Sequence, residues 1–288
     1  MQCGTRSGFG LGAPRSLDYN VEMVYQQVVT TKILENKEPT MIQVIRADER
    51  HFTDFGWLKT YWLFSFSEYY DPTNIQFGAL RVFNDDVVAP HTGFGTHPHQ
   101  EMEIITIVLD GEVTHEDSLG TRAVMRAGDV QRMSAGTGIQ HSEFNLGEAP
   151  AHFYQVWIYP DIRGLAPSYD QKSFAGTVWS NRLVPVASGQ GLPEVVTFHT
   201  DATLYLGSLE AHHSVTHDTN GTRRVFVYLT EGELAVDGVR LATKDQGRID
   251  AEVPLTLTAH RDTRFVLIDV PSCRGWGYDQ TTLRGTRG

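Results

Sequence analysis

The residues best suited to chemistry lie in two short segments. The first, Gly93-Phe94-Gly95-Thr96-His97-Pro98-His99-Gln100-Glu101-Met102-Glu103, alternates histidines and glutamates along its second half. On one extended strand alternate side chains share a face, so His97, His99, Glu101 and Glu103 are expected to point the same way. The second, Ser134-Ala135-Gly136-Thr137-Gly138-Ile139-Gln140-His141-Ser142-Glu143-Phe144-Asn145, places His141 and Glu143 two apart, again on a common strand face. Were the two strands neighbours, three imidazoles and a carboxylate would converge. Desolvating imidazoles side by side is costly without a metal or an acid between them. Such a donor set suits a divalent transition ion. A lone histidine carries no such signal, because a neutral imidazole in a core needs only one or two hydrogen bonds. His51, His91, His152, His199 and His260 therefore read as structural.

Strands must position these donors, and the chain supplies many short ones. Strand signals cover 76–83, 104–109, 122–125, 130–133 and 152–159, separated by Gly, Asp, Asn and Pro. This spacing predicts an all-β sandwich or barrel. Pro160-Asp161-Ile162-Arg163-Gly164-Leu165-Ala166-Pro167 interrupts the rhythm and reads as a linker. Beyond it, strands are expected at 194–198, 224–229 and 264–270. Ile107-Val108-Leu109-Asp110-Gly111-Glu112-Val113 is echoed by Tyr228-Leu229-Thr230-Glu231-Gly232-Glu233-Leu234, with the glycines 232 − 111 = 121 positions apart. Each predicts a hairpin, and the period suggests a duplicated domain. The expected organisation is an N-terminal extension over 1–40, partly disordered, then a domain over 41–165 with the metal site and a second over 166–288. Within the extension, 17–36 fits helix and strand patterns equally, and Met41 reads as a possible alternative start.

Composition excludes several classes. Of 288 residues, 40% are apolar and 20% charged, as in an ordinary globular protein. A net charge of −11 without a Lys/Arg cluster argues against direct nucleic-acid binding. The longest useful apolar run, Ile104–Leu109, is far short of the roughly 20 residues that span a bilayer, so no membrane partner is expected. Cys3 and Cys273 lie too far apart in sequence to form a disulfide framework, and a cytoplasmic location is expected. Arg6 and Arg15 leave an organellar-targeting reading open.

The pattern His97-Pro98-His99 with Glu103 and Gly111, then Gly128-Asp129, then Gly138-Ile139-Gln140-His141 with Asn145, resembles the two cupin motifs. The strings Gly95-Thr96-His97-Pro98-His99, His115-Glu116-Asp117-Ser118 and Ser134–Glu143 are similar to those of the pirin family, especially its bacterial quercetinase branch. The likeness is strong over 41–174 and weaker beyond. It implies a bicupin: two jelly-roll barrels packed together, the second degenerate. It also implies metal ligation by His97, His99, His141 and Glu143, whereas many other cupins use the position of Glu103. Ser134 stands where the general cupin motif often has proline. His115 reads equally as a cavity residue or part of an exposed loop. His212, His213 and His217 do not have the spacing of a second site.

The resemblance further implies a quercetin 2,3-dioxygenase reaction on a flavonol and dioxygen, giving a depside and carbon monoxide. Glu143 or Glu103 would act as general base. The ion expected first is Fe2+, with Mn, Ni, Cu or Zn also compatible with the donors. The alternative is a pirin-like redox-sensing regulatory protein that binds a protein partner without turnover.

Overall fold

The computed structural model describes residues 41–219, 223–251 and 254–272. The expected extension over 1–40, the ambiguous stretch within it and both cysteines lie outside the described residues.

The chain enters through β1 (Ile42–Ile45), β2 (His51–Asp54), β3 (Leu58–Trp62) and β4 (Leu80–Val88). The segment with the site follows as β5 (Thr92–His99), β6 (Glu103–Asp110), β7 (Glu112–Asp117), β8 (Arg122–Arg126), β9 (Asp129–Ser134), β10 (Ile139–Asn145), β11 (Ala151–Ile158) and β12 (Ser168–Ser173). The second half begins with β13 (Arg182–Ser188), β14 (Val196–Thr197), β15 (Thr203–Leu209), β16 (Ser214–His217) and β17 (Arg223–Glu231). It ends with β18 (Glu233–Val236), β19 (Val239–Ala242), β20 (Gln246–Ala251), β21 (Leu255–Ala259) and β22 (Thr263–Pro271).

These strands build two cupin barrels, each from a seven-stranded and a four-stranded sheet. The first pairs β12-β9-β6-β11-β4-β3-β2 with β5-β10-β7-β8, and the second pairs β1-β20-β17-β22-β15-β13-β14 with β16-β21-β18-β19. One strand lies in a sheet of the other half, as β1 joins β20, and β12, which falls within the expected second domain over 166–288, joins β9 of the first barrel. Residues 160–167 carry no strand.

The two large sheets share a core that includes Phe83, Ile105, Ile107, Tyr154, Phe226 and Tyr228. Full burial of side chains of this size is worth about 1.5–3 kcal/mol each. The second barrel's interior is filled by Leu and Val, among them Leu209, Val227, Leu234, Leu241, Leu257 and Leu267. The first barrel's apolar residues form two smaller clusters, one around Val108, Val113 and Phe153 and one around Ile104, Met133 and Ile139.

Three departures from the sequence reading have physical causes. The Gly111 and Gly232 turns do not close hairpins, because in each case the chain passes from the large sheet to the small one. Gly111 adopts φ +73, and a Cβ there would meet the Pro150 carbonyl oxygen at 2.6 Å, so the corner needs glycine. The strand expected at 76–83 runs instead over Leu80–Val88, since the polar Asn84-Asp85-Asp86 beyond its expected end is interior. The strand expected at 194–198 shrinks to Val196–Thr197.

Candidate metal centre

The small sheet of the first barrel carries the histidines. β5 and β10 are antiparallel, with His141 opposite His97 and Ile139 opposite His99. A bulge follows: the register shifts between His141 and Glu143, and Glu143 comes to face Phe94. Bulges re-aim side chains at sites of this kind. The ring centroids of His97, His99 and His141 lie 4.5–4.9 Å apart, and one ligand atom from each falls within 4.8 Å of the others. The strand ends at His99, and Glu101 occupies a turn at φ +51 where its Oε1 accepts from the Gly164 N–H. Glu101 and Glu103 therefore do not continue the face of His97 and His99.

Hydrogen bonds set which imidazole nitrogens are free. His97 Nδ1 lies 2.7 Å from the Gly95 carbonyl, which can only accept, so Nδ1 carries the proton and Nε2 presents a lone pair. His115 Nε2 lies 3.0 Å from Asp117 Oδ2, and His115 Nδ1 lies 3.4 Å from His141 Nδ1. Hydrogen bonds from the His115 imidazole and the backbone of Thr121 and Leu119 outweigh burial and hold the Asp117 carboxyl below its ordinary range. As an anion, Asp117 accepts from His115 Nε2–H. His115 Nδ1 then accepts from His141 Nδ1–H, leaving the His141 Nε2 lone pair buried and without a hydrogen-bond partner. Burial, reinforced by neighbouring imidazoles, pushes His99 and His141 each down to about 3, so both are neutral at physiological pH.

Glu143 shares the inner face of β10 with His141 and is 2% exposed. Its Oε1 accepts from Gln131 Nε2 at 2.9 Å and Thr106 Oγ1 at 3.3 Å, and its Oε2 accepts from Gln155 Nε2 at 2.7 Å. Its ligand oxygen groups with His115 and His141, so His141 belongs to both clusters. Among the described residues no Lys or Arg pairs with this carboxylate, and a buried anion held only by neutral donors is costly without a cation. The orphaned Nε2, the neutral imidazoles and the uncompensated Glu143 together fit a divalent metal ion.

Glu103 lies elsewhere. Along β6, Thr106 faces Glu143, whereas Ile105 and Ile107 face the shared core, and Glu103 falls on the Ile105 side. It accepts from Ser134 Oγ at 2.6 Å and lies 3.1 Å from His199 Nδ1. Burial pushes its carboxyl up, against the pull of Ser134, His199 and Arg132. His115, fully buried on β7 opposite Glu143, is not part of an exposed loop, and it does not line the cavity but packs behind His141. Sequence reading did not give Asp117 a role at the site, although its alternation with His115 was the available signal. His217 is held in the second barrel by Asp269 at 2.8 Å.

A cavity of about 410 Å3 opens beside the cluster. His97, His99 and Glu143 line it, with Trp57, Trp62 and Trp157 among its aromatic walls. Trp157 packs edge-on against His99 and donates its indole N–H to Gln155 Oε1 at 3.1 Å.

Comparison with known proteins agrees with this architecture. Residues 45–158 match the family described as Pirin, and residues 185–270 match the quercetinase C-terminal cupin domain. A "Pirin-like protein" of Caulobacter vibrioides is 44% identical over 75% of this chain and 94% of its own length. A "Quercetin 2,3-dioxygenase" of Escherichia coli is 39% identical over 80% of this chain and 99% of its own. The crystal structure of the bacterial pirin YhhW from Escherichia coli in complex with nickel(II) superposes with a TM-score of 0.77 at 39% identity, covering 81% of this chain and all of that one. Two cupin barrels, the matched motifs and relatives aligned over nearly their full length make this chain a member of the pirin family.

Proposed function

We propose that the chain is a metal-dependent dioxygenase that cleaves a flavonol such as quercetin, with His97, His99, His141 and Glu143 holding one divalent transition ion. The observation that carries the reading is the grouping of His97, His99 and His141, with the buried Glu143 carboxylate grouped on the same His141, beside an aromatic-lined cavity that His97, His99 and Glu143 line. The name of the Escherichia coli relative supplies the reaction class. The ion proposed is Fe2+, and nickel(II), named in the relative's structure, is the first alternative. When bound, the ion supplies Lewis acidity that favours the ionised 3-hydroxyl of the flavonol. Glu143 takes that proton, because of Glu103 and Glu143 it is the one that lines the cavity. The tryptophans pack the flavonol rings and keep water from the reacting carbons. The proposed setting is the cytoplasm; among the described residues no helix is long and apolar enough to cross a membrane.

The test is elemental analysis of protein purified without added metal, then oxygen uptake with quercetin for each reconstituted ion. Stoichiometric metal and oxygen consumption, both lost in His97→Ala, are expected. Metal-loaded protein that consumes neither oxygen nor flavonol overturns the reading in favour of a redox-sensing regulatory protein.

A further inference from the structure

The inner face of the large sheet carries a row of residues in register across five strands: Gln131, Thr106, Gln155, Asn84 and Trp62. The first three donate to Glu143. Asn84 does not, and its Oδ1 is buried with no hydrogen-bond partner. Two residues along the same face of β4 lies Asp86, whose Oδ1 is likewise buried with no hydrogen-bond partner, as is the Thr60 hydroxyl opposite it on β3. Asn84 and Asp86 are each 2% exposed, and both line the cavity. A buried acceptor left unpaired costs about 1–3 kcal/mol, so two side by side in a cavity wall call for an occupant that donates.

We propose that Asn84 and Asp86 form a hydroxyl-recognition subsite that selects substrates with a phenolic hydroxyl on the ring turned away from the histidines. The inference rests on the flavonol reading of the cavity. Its geometry suits that class of ligand. Asn84 stands one strand spacing, about 4.8 Å, from Gln155, and Asp86 about 6.8 Å further along β4, which together match the reach across a substituted aromatic ring. Trp57, Trp62 and Phe66 supply flat apolar walls in the same cavity. The charge state favours a neutral donor over an ammonium group. Burial pushes the Asp86 carboxyl up to about 8, with Asp85 and Glu143 adding to the shift.

The experiment is anaerobic titration of the metal-loaded protein with quercetin and with galangin, which lacks hydroxyls on its pendant ring. Quenching of the cavity tryptophans reports binding. Wild type is expected to prefer quercetin by about tenfold, and Asp86→Leu to reduce the preference to about twofold with galangin affinity kept within about threefold. Asp86→Asn, which keeps a donor and an acceptor of the same shape, is expected to retain most of the preference and serves if Asp86→Leu does not fold. No preference in wild type, or an undiminished preference in Asp86→Leu, overturns the subsite. Oxygen uptake, measured in parallel, separates the two readings. Uptake without preference removes the subsite alone, and preference without uptake removes the dioxygenase alone. Failure of both flavonols to bind removes both.

Discussion

His115 Nδ1 lies 3.4 Å from His141 Nδ1, and the opposite edge of the same ring meets Asp117 Oδ2 at 3.0 Å. The carboxylate thereby fixes the tautomer of an imidazole it does not touch, and the His141 Nε2 lone pair is left pointing outward from the relay. Partners behind a ligand are commonly worth 10–100-fold in metal affinity. Asp117→Asn keeps the Oδ1 that accepts from the Leu119 and Thr121 backbone, so the turn survives. Its amide faces His115 Nε2 with a donor, reverses both tautomers and protonates His141 Nε2. Competition with a chelator should show metal affinity lowered by about tenfold or more with unchanged circular dichroism.

The two glutamates answer different questions. Glu143→Gln removes the charge that the buried ion would compensate and sets an amide against the Gln131 and Gln155 donors. Metal content on purification is expected to fall at least tenfold, and flavonol turnover by about 10²-fold or more. Glu103→Gln acts on the far side of β6, at Ser134 and His199, and is expected to leave metal content within about twofold. The opposite pattern would move the carboxylate ligand to Glu103.

Much of this arrangement was legible because its determinants are local. His-x-His and His-x-Glu share strand faces by the period of two, and the echo around Gly111 and Gly232 marks the duplicated barrel. Glu103 misled because its alternation with His97 and His99 holds only if the strand continues, and the turn at Glu101 breaks it. The strand expected at 76–83 ends short of Asn84-Asp85-Asp86 because polarity is a proxy for exposure. Here the polar side chains are buried by partners far away in sequence, such as Tyr228 and Lys244, which no local pattern announces. The pairing of β1 with β20 of the second barrel, and of β12 with β9 of the first, is equally non-local, as it is set by free sheet edges rather than by the linker's composition.

Gly136 holds the loop that delivers β10. It adopts φ +46, and a Cβ there would stand 2.0 Å from the Leu165 carbonyl oxygen, an atom that also accepts from the Thr137 N–H. Gly136→Ala combines backbone strain with a clash against main chain that cannot rotate away. A loss of about 2 kcal/mol or more is expected, lowering the melting midpoint by about 4–8 °C, with weaker metal retention as the loop shifts. Gly176→Ala, where a Cβ meets nothing within 4 Å, is the control and should melt close to wild type.

Asp85 ties the two barrels together, and its ionisation makes that tie dependent on pH. Tyr228 OH donates to its Oδ2 at 2.7 Å, Lys244 Nζ lies 3.0 Å from the same oxygen, and His152 Nε2 lies 2.6 Å from Oδ1. Burial alone would raise this carboxyl, but His152, Lys244 and Tyr228 override it and hold the group at about 2, against 3.8 in an unstructured chain. A depressed folded value means the stabilisation is fully present above the unfolded pKa and disappears as pH falls through the folded one. The shift corresponds to about 2 kcal/mol, lost between roughly pH 5 and pH 2. Asp85→Asn should cost about 3 kcal/mol at neutral pH, because the Lys244 ammonium is left without its counter-charge. Its urea midpoint should then fall less steeply with acidification than that of wild type over the same interval. Parallel slopes for the two proteins would mean that this carboxylate's charge contributes nothing to holding the barrels together.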